Sequence, residues 1–307
     1  MRALITGIGG FIGSHLADLL IEKGFEVYGT FYNDRRNAPK DARAIKCDIS
    51  KKGGITNIIK KIRPNYVFHM AAQSFVVPSW QDPETTMRSN VIGTLNILEA
   101  LKNTNSTVAV ACSSAEYGLT QKSELPIKEE KALRPSSPYA VSKVATDMIS
   151  YVYYNTYGMK LFRLRFFNII GPRKRMDACS DFAQGIVEVE KGKKKYLEVG
   201  NLDGVRDFTD VRDAVKAVWT ITQKGKQGDV YNICTGKSYK MKHILNILLS
   251  MSTKKIEVKQ LKEKFRIIDD PIFIGDNSKL RKLGWKQNIP LEKTLQDLVD
   301  YWRNEIK

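Results

Sequence analysis

Thiol and imidazole are scarce in this chain, whose 307 residues include four cysteines and three histidines. Cys47, Cys112, Cys179 and Cys234 have neither paired nor metal-like spacing, and only His15, His69 and His243 would join them. A disulfide-stapled framework is excluded on that count, and reduced thiols without a metal site are expected. No run of about eighteen apolar residues occurs, so no membrane span is expected. Met1 leads almost at once into the first apolar strand, which leaves no room for a cleavable signal peptide and predicts a cytoplasmic protein. Internal repeats, low-complexity tracts and a long Pro/Gly/Ser linker are also missing, so two lobes of this chain should share a cleft.

Acid is the charge in short supply. Fifty Lys and Arg face 33 Asp and Glu, a net charge of +17, which suits nucleic acid, membranes or phosphorylated substrates as partners. The basic residues lie in scattered clusters: Lys51-Lys52, Lys60-Lys61, Arg173-Lys174-Arg175 and Lys193-Lys194-Lys195. Most fall on expected surface helices and loops and read as solvated faces. Only the cluster after Gly171-Pro172 sits where a ligand would be. Aromatic residues do not interleave the lysines as stacking platforms would, so nucleic acid is not the expected partner.

With 42% hydrophobic residues the chain can build a large core. Apolar, β-rich segments (Ala3 to Thr6, Val27 to Phe31, Tyr66 to Met70, Val108 to Cys112, Leu161 to Phe167) alternate with helical patterns such as Ile12 to Lys23 and Val91 to Leu101. Such alternation predicts an α/β fold, a Rossmann doubly wound parallel sheet with a smaller, discontinuous α/β substrate lobe. Residues 1–170, joined by about 205–233, would form the dinucleotide-binding domain, and 171–204 with 234–307 the second lobe. A helix from Val211 to Thr222 and a strand from Val230 to Ile233 would return to the main sheet. Ligands bind beyond the carboxyl ends of such strands, where Gly7, Ala71 and Ser113 fall.

The first strand runs into Gly7, Gly10 and Gly13, spaced three apart, and then into a helix. Gly7 would permit the tight turn, Gly10 the approach of a pyrophosphate, and Gly13 close packing of helix on strand. Phe11 and Ile12 open that helix, whose free N–H groups and dipole would face the phosphates. The second strand ends in uncharged Thr30-Phe31-Tyr32-Asn33, followed by Asp34, Arg35 and Arg36. With Asn33 where a ribose-binding carboxylate would stand, and Arg35 and Arg36 available to a 2′-phosphate, NADP is favoured as cofactor; an inward turn of Asp34 leaves NAD open.

Tyr139 and Lys143 stand four apart, behind Pro138 at a helix start, and so share a helix face. The ammonium beside the phenol should lower its pKa and let Tyr139 move a proton near neutral pH. Ser113, after an apolar strand, would place a second hydroxyl at the cleft.

These residues in this order resemble the extended short-chain dehydrogenase/reductase family, in its nucleotide-sugar branch. The resemblance runs from the glycine loop through Cys47-Asp48-Ile49, His69-Met70-Ala71-Ala72, Asn90-Val91-Ile92-Gly93-Thr94, Ser113-Ser114 to Tyr117-Gly118, and Tyr139-x-x-x-Lys143 to Leu283-Gly284-Trp285. It implies that Ser113, Tyr139 and Lys143 form the catalytic set. Asp48 and Ile49 would flank the adenine, Ala71 and Ala72 line the cofactor, and Asn90 shape the floor of the site. Ala71 to Val76 with Ser74, Phe167 to Pro172, Val199 to Asp203 and Arg206-Asp207-Phe208 look like GDP-4-keto-6-deoxy-mannose reductases and GDP-mannose 4,6-dehydratases. By position Ser74, Ser114, Asn168 and Arg206 would meet the sugar diphosphate. Arg266 with Asp269 would grip the nucleoside, although Ile267 and Asp269 depart from the usual Arg-Pro-x-Glu. Arg206 beside Asp207 reads equally as an ion pair. The helices Val91 to Leu101 and Pro138 to Tyr157 resemble a dimer bundle, so a homodimer is implied.

Reductases, dehydratases and epimerases of this branch share hydride exchange at carbon 4 of the sugar. A dehydratase also needs a carboxylate two residues after the catalytic hydroxyl residue. Here that residue is Ala115, and Glu116 would point the other way if the segment stays extended. The expected activity is reduction of a 4-keto-6-deoxy nucleotide-sugar, GDP-linked, with 4,6-dehydration, 4-epimerisation and a non-catalytic cofactor-binding protein as alternatives.

Overall fold

The computed structural model describes residues 1–265 and 271–307. In chain order its strands are β1 (Arg2–Thr6), β2 (Glu26–Phe31), β3 (Arg43–Lys46), β4 (Tyr66–His69), β5 (Thr107–Ser113), β6 (Leu161–Phe166), β7 (Asn168–Ile170), β8 (Leu197–Val199), β9 (Val205–Asp210), β10 (Val230–Ile233), β11 (Ser238–Lys240), β12 (Val258–Gln260) and β13 (Ile272–Phe273). The helices are α1 (Phe11–Glu22), α2 (Lys52–Ile62), α3 (Val76–Gln81), α4 (Pro83–Met87), α5 (Gly93–Leu101), α6 (Pro138–Tyr157), α7 (Ala178–Glu190), α8 (Val211–Lys224), α9 (Met241–Ser250), α10 (Ser278–Lys282) and α11 (Leu291–Glu305).

Seven strands pair in the order β10-β6-β5-β4-β1-β2-β3, every pair parallel. Helices cover both faces, which is why strands such as β1 and β6 are apolar or buried along nearly their whole length rather than alternating. Leu16, Ala17 and Leu20 of α1 pack with Ala214, Val218 and Ile221 of α8 on one face. On the other lie Ile55 and Ile59 of α2, Ile97 and Leu98 of α5, and Tyr153 of α6. The strand order reverses beside β1, and at that switch point a crevice opens beyond the carboxyl ends of β1 and β4.

The smaller part is built from β11-β9-β13 with β7 on β9, a β8–β12 pair, and a separate core of α7, α9 and α11. Val205–Asp210, grouped by the sequence with the large sheet, bonds in the small one, whereas α8 and β10 do return to the large sheet. Two local features escaped the sequence patterns. The edge strand β3 is short and carries charge at both ends. The helix expected from Val91 begins instead as a π-helical turn, Arg88–Ile92, that continues into α5. Among the described residues no helix is long and apolar enough to cross a membrane.

Candidate active site

Backbone, not side chains, shapes the first part of the crevice. Gly7 has φ +75°, a conformation that favours glycine, and its N–H donates to Thr30 O at 2.8 Å. A Cβ there would lie 2.9 Å from the Ala71 backbone, one on Gly10 3.1 Å from Gly7 O, and one on Gly13 2.2 Å from the same oxygen. Gly9, which the spacing rule passes over, is equally confined, its Cβ position lying 2.2 Å from Asp34 O. Phe11 and Ile12 open α1, whose N-cap Gly10 supplies no side-chain cap, leaving first-turn amides suited to an anion. A dinucleotide pyrophosphate fits this cradle.

Asn33, Asp34, Arg35 and Arg36 form an exposed lip pressed against Gly9. Arg36 Nε sits 2.6 Å from Asp34 Oδ2, so Asp34 is engaged by its own neighbour. Below the lip, Asp48 accepts from Ser50 N and Oγ at 3.0 and 2.7 Å, and the buried Ile49 packs where Gly93 leaves room for it.

His69, at the end of β4, is a buried strut. Thr94 Oγ donates to Asn90 O at 2.5 Å and therefore accepts from His69 Nε2–H at 2.9 Å. Nδ1 then accepts from the Thr6 hydroxyl at 2.7 Å, and Thr6 Oγ accepts the Ala71 N–H at 3.2 Å. Burial, helped by the Lys143 charge, pushes the imidazole down to about 3, which keeps this tautomer neutral. Asn90 completes the floor: its Oδ1 accepts Gln73 N–H at 2.8 Å, and its Nδ2 donates to Gln73 O and Ser142 Oγ, both at 2.9 Å. Ala71 and Ala72 are half-buried above it, and Ser74 is exposed on the same segment.

Helix α6 brings Tyr139 and Lys143 onto the end of β5. Ser137 caps it by accepting Ala140 N–H, with Pro138 in its first turn. The Tyr139 hydroxyl is hydrogen-bonded to Ser113, and Lys143 Nζ donates to Ala111 O at 2.7 Å, two residues earlier on the strand. The expected lowering of the phenol is not what the protein provides. The Lys143 ammonium is anchored on Ala111, and burial dominates at Tyr139, pushing it up to about 12 against the opposing Ser113 hydrogen bond. Burial likewise pulls Lys143 below its ordinary value.

Beyond Ser113 the chain does not stay extended, as the sequence reading assumed, but tightens into a 3₁₀ turn, Ser114–Tyr117. Ala115 is half-buried, and Glu116 folds beneath the site with no exposure. Its Oε1 accepts Ser113 N–H at 2.7 Å and its Oε2 meets Arg165 Nε at 3.2 Å. Asp147 holds Arg165 at 2.8 Å and Arg163 at 2.5 Å. Cys112, Glu116 and Asp147 place potential ligand atoms within 4.8 Å of one another, but these arginines already occupy both carboxylates. The sequence reading missed this cluster, although Ser113-x-x-Glu116 is a capping-box pattern.

On β7, Asn168 pairs with Phe208 of β9, two residues beyond Arg206 on the same strand. Asn168 Nδ2 donates to Asp207 O at 3.0 Å, and Arg206 Nη1 to Val205 O at 2.9 Å. Strand alternation turns Asp207 away from Arg206. Its carboxylate accepts from Thr235 N and Oγ and Gly236 N at 2.7 to 2.9 Å, so it is not spent on its neighbour. Ser114 is buried beside Ser113, while Arg266 and Asp269 lie outside the described residues. The basic run after Pro172 secures helices: Arg173 reaches Asp18 of α1 at 2.7 Å and Arg175 reaches Glu305 of α11 at 2.8 Å.

A doubly wound sheet with this glycine cradle and a Ser-Tyr-Lys group at the end of β5 defines an NAD(P)-dependent enzyme of the extended short-chain dehydrogenase/reductase class. Comparison with known proteins narrows the class. The chain belongs to the GDP-mannose 4,6-dehydratase family, whose model matches residues 4–298. It is 29% identical to a GDP-6-deoxy-D-mannose reductase of Pseudomonas aeruginosa over 311 residues, covering 100% of this chain and 98% of the relative. A structure of RMD from Pseudomonas aeruginosa complexed with NADPH is similar with a TM-score of 0.87 and 28% identity over 99% of both chains. So is a Thermus thermophilus UDP-glucose 4-epimerase complexed with NAD, with a TM-score of 0.90 and 29% identity over 100% of both chains.

Proposed function

We propose that this protein reduces a GDP-linked 4-keto-6-deoxy-hexose at carbon 4, using NADPH in preference to NADH. The observation that carries this reading is the pairing of Ala115 with a buried Glu116. The position from which a dehydratase would draw a carboxylate holds a methyl group, and the neighbouring carboxylate is engaged by Arg165 and Ser113 N–H. Tyr139, its hydroxyl hydrogen-bonded to Ser113 at the end of β5, would be the acid that reduction requires.

Bound NADPH would supply the hydride. Gly7, Gly9, Gly10 and Gly13 with the first turn of α1 (Phe11, Ile12) would seat its pyrophosphate, and Arg35 its 2′-phosphate. Asp48, Ile49, Ala71 and Ala72 would line the adenine and nicotinamide ends, over the floor made by Asn90. Ser113 would hold the carbonyl oxygen, Tyr139 would protonate it as charge develops, and Lys143 would turn from Ala111 to the nicotinamide ribose. Ser74, Ser114, Asn168 and Arg206 would hold the sugar diphosphate. Residues 1–170 with about 205–233 would serve the cofactor and the remainder the nucleotide-sugar, with β9 contributing Arg206 from the small sheet.

We also propose a homodimer formed through the face where Ile92 and, on α6, Val141, Met148, Tyr151 and Val152 are exposed. Four buried, unbridged cysteines suit the reducing cytoplasm. Likeness to an epimerase complexed with NAD favours 4-epimerisation as the second reading.

The test is incubation with GDP-4-keto-6-deoxy-mannose and NADPH. Stoichiometric oxidation with a 4-hydroxy product supports reduction. No oxidation, with GDP-mannose converted to a keto-sugar or its epimer without net cofactor change, replaces it by dehydration or epimerisation.

A further inference from the structure

We propose that Glu116 is a positioning residue for Ser113, fixing the direction of the serine hydroxyl through a buried bridge to the helix that carries Tyr139 and Lys143. The inference rests on reading Ser113 and Tyr139 as the pair that addresses the reacting oxygen.

A reciprocal hydrogen-bond pair holds Ser113. Its N–H donates to Glu116 Oε1 at 2.7 Å, while its Oγ accepts Ala115 N–H at 3.2 Å. With Ala115 placed as donor, the serine's own proton is directed away from the turn, toward the Tyr139 hydroxyl or a substrate oxygen. A serine without this box would be free to change rotamer.

Glu116 is itself immobilised from outside its turn. Arg165 on β6 spans from Glu116 Oε2 at 3.2 Å to Asp147 Oδ2 at 2.8 Å, and its Nη1 donates to Tyr117 Oη and Glu129 O, both at 3.0 Å. Asp147 follows Lys143 by one turn, so Tyr139, Lys143 and Asp147 form one stripe along α6. The chain of contacts Ser113, Glu116, Arg165, Asp147 therefore ties the end of β5 to the helix bearing its partners. Burial, with Asp147 close by, pushes the Glu116 carboxyl well above the usual carboxylate range, and its two oxygens are hydrogen-bonded to Ser113 N–H and Arg165 Nε. An apolar side chain would fill the space; what it would not supply is the acceptor for Ser113 N–H.

The experiment compares wild type with Glu116→Ala, Glu116→Gln, Ser113→Ala and the Ser113→Ala/Glu116→Ala double variant. Glu116→Met, which keeps the volume without an acceptor, replaces Glu116→Ala if the latter does not fold. Crystal structures are the first readout. Ser113 Oγ is expected to leave its position in the alanine or methionine variant and to keep it in Glu116→Gln, whose amide oxygen still accepts. An unmoved Ser113 in the alanine or methionine variant overturns the proposal whatever reaction the enzyme performs.

Kinetics are the second readout. Glu116→Ala should lower kcat about 10- to 100-fold, as expected for a misplaced reacting group, with KM for NADPH within about twofold, and Glu116→Gln should recover most of that loss. In the Ser113→Ala background the same substitution should change kcat less than about twofold, because the group it orients is gone. Equal losses in both backgrounds overturn the proposal. A wild type inactive on every nucleotide-sugar defeats the reading of Ser113 and Tyr139, and the crystal structures then decide the hold of Glu116 on Ser113 by themselves.

Discussion

A Cβ on Gly13 would lie 2.2 Å from the carbonyl oxygen of Gly7, so α1 meets the end of β1 at a separation that an alanine would have to widen. In the proposed cradle that contact would set how deeply a pyrophosphate reaches toward the first-turn amides. Gly13→Ala is expected to weaken NADPH binding by about 5- to 150-fold, the equivalent of a roughly 1–3 kcal/mol overpacking strain. Fluorescence titration of the variant with NADPH measures it, and an unchanged Kd refutes the cradle.

Tyr139→Phe keeps the ring and removes the proton. Turnover should fall about 10²- to 10⁴-fold, the range for loss of a general acid. NADPH affinity should stay within about twofold, because Lys143 and the glycine cradle are untouched. Single-turnover kinetics together with a binding titration separate the two effects, and unchanged turnover removes Tyr139 from its proposed role.

Arg36 is paired with Asp34 at 2.6 Å, which leaves Arg35 as the arginine of the lip assigned to the 2′-phosphate. Arg35→Ala should raise KM for NADPH by about tenfold, in line with a charge-assisted hydrogen bond to phosphate, and leave KM for NADH within about twofold. Equal changes for both cofactors would mean that the lip does not read the phosphate.

Arg303 of α11 donates to both oxygens of Glu190 on α7, at 2.8 and 3.1 Å, and with burial opposing, these bonds hold the carboxyl down to about 2. A depressed folded-state pKa contributes stability above the ordinary glutamate value, lost as pH falls from about 4.5 toward 2. Arg303→Ala should therefore destabilise the fold by on the order of 1–3 kcal/mol at neutral pH, with the deficit shrinking across that acid window. Denaturant unfolding of both proteins at pH 7 and at about pH 3 tests the sign, and a deficit that grows on acidification contradicts it.

Local spacing made much of this legible. The three-residue spacing of Gly7, Gly10 and Gly13 encodes a turn and a close approach within one strand and one helix, both of which the structure contains. The four-residue spacing of Tyr139 and Lys143 encodes a shared face of α6. The alternation of apolar strands and amphipathic helices encodes a parallel sheet, because only helices on both faces can bury strands so uniformly apolar. Where the reading went astray, one deciding partner was local and the other distant. Glu116 was placed by strand alternation, but Arg165, 49 residues away, and the Ser113 box draw it under the site.

The amino-acid order by itself therefore determined the glycine turn, the helix that presents Tyr139 and Lys143, and the absence of a carboxylate at Ala115. These depend on backbone conformation and on residues within a turn or two of each other. Only the tertiary structure decided which charges are free to act. It paired Arg173 with Asp18 and Glu116 with Arg165, turned Asp207 toward Thr235, and set the Tyr139 hydroxyl against Ser113, where burial raises its pKa. Electrostatic partners and burial come from elements far apart in sequence, and local pattern does not encode them.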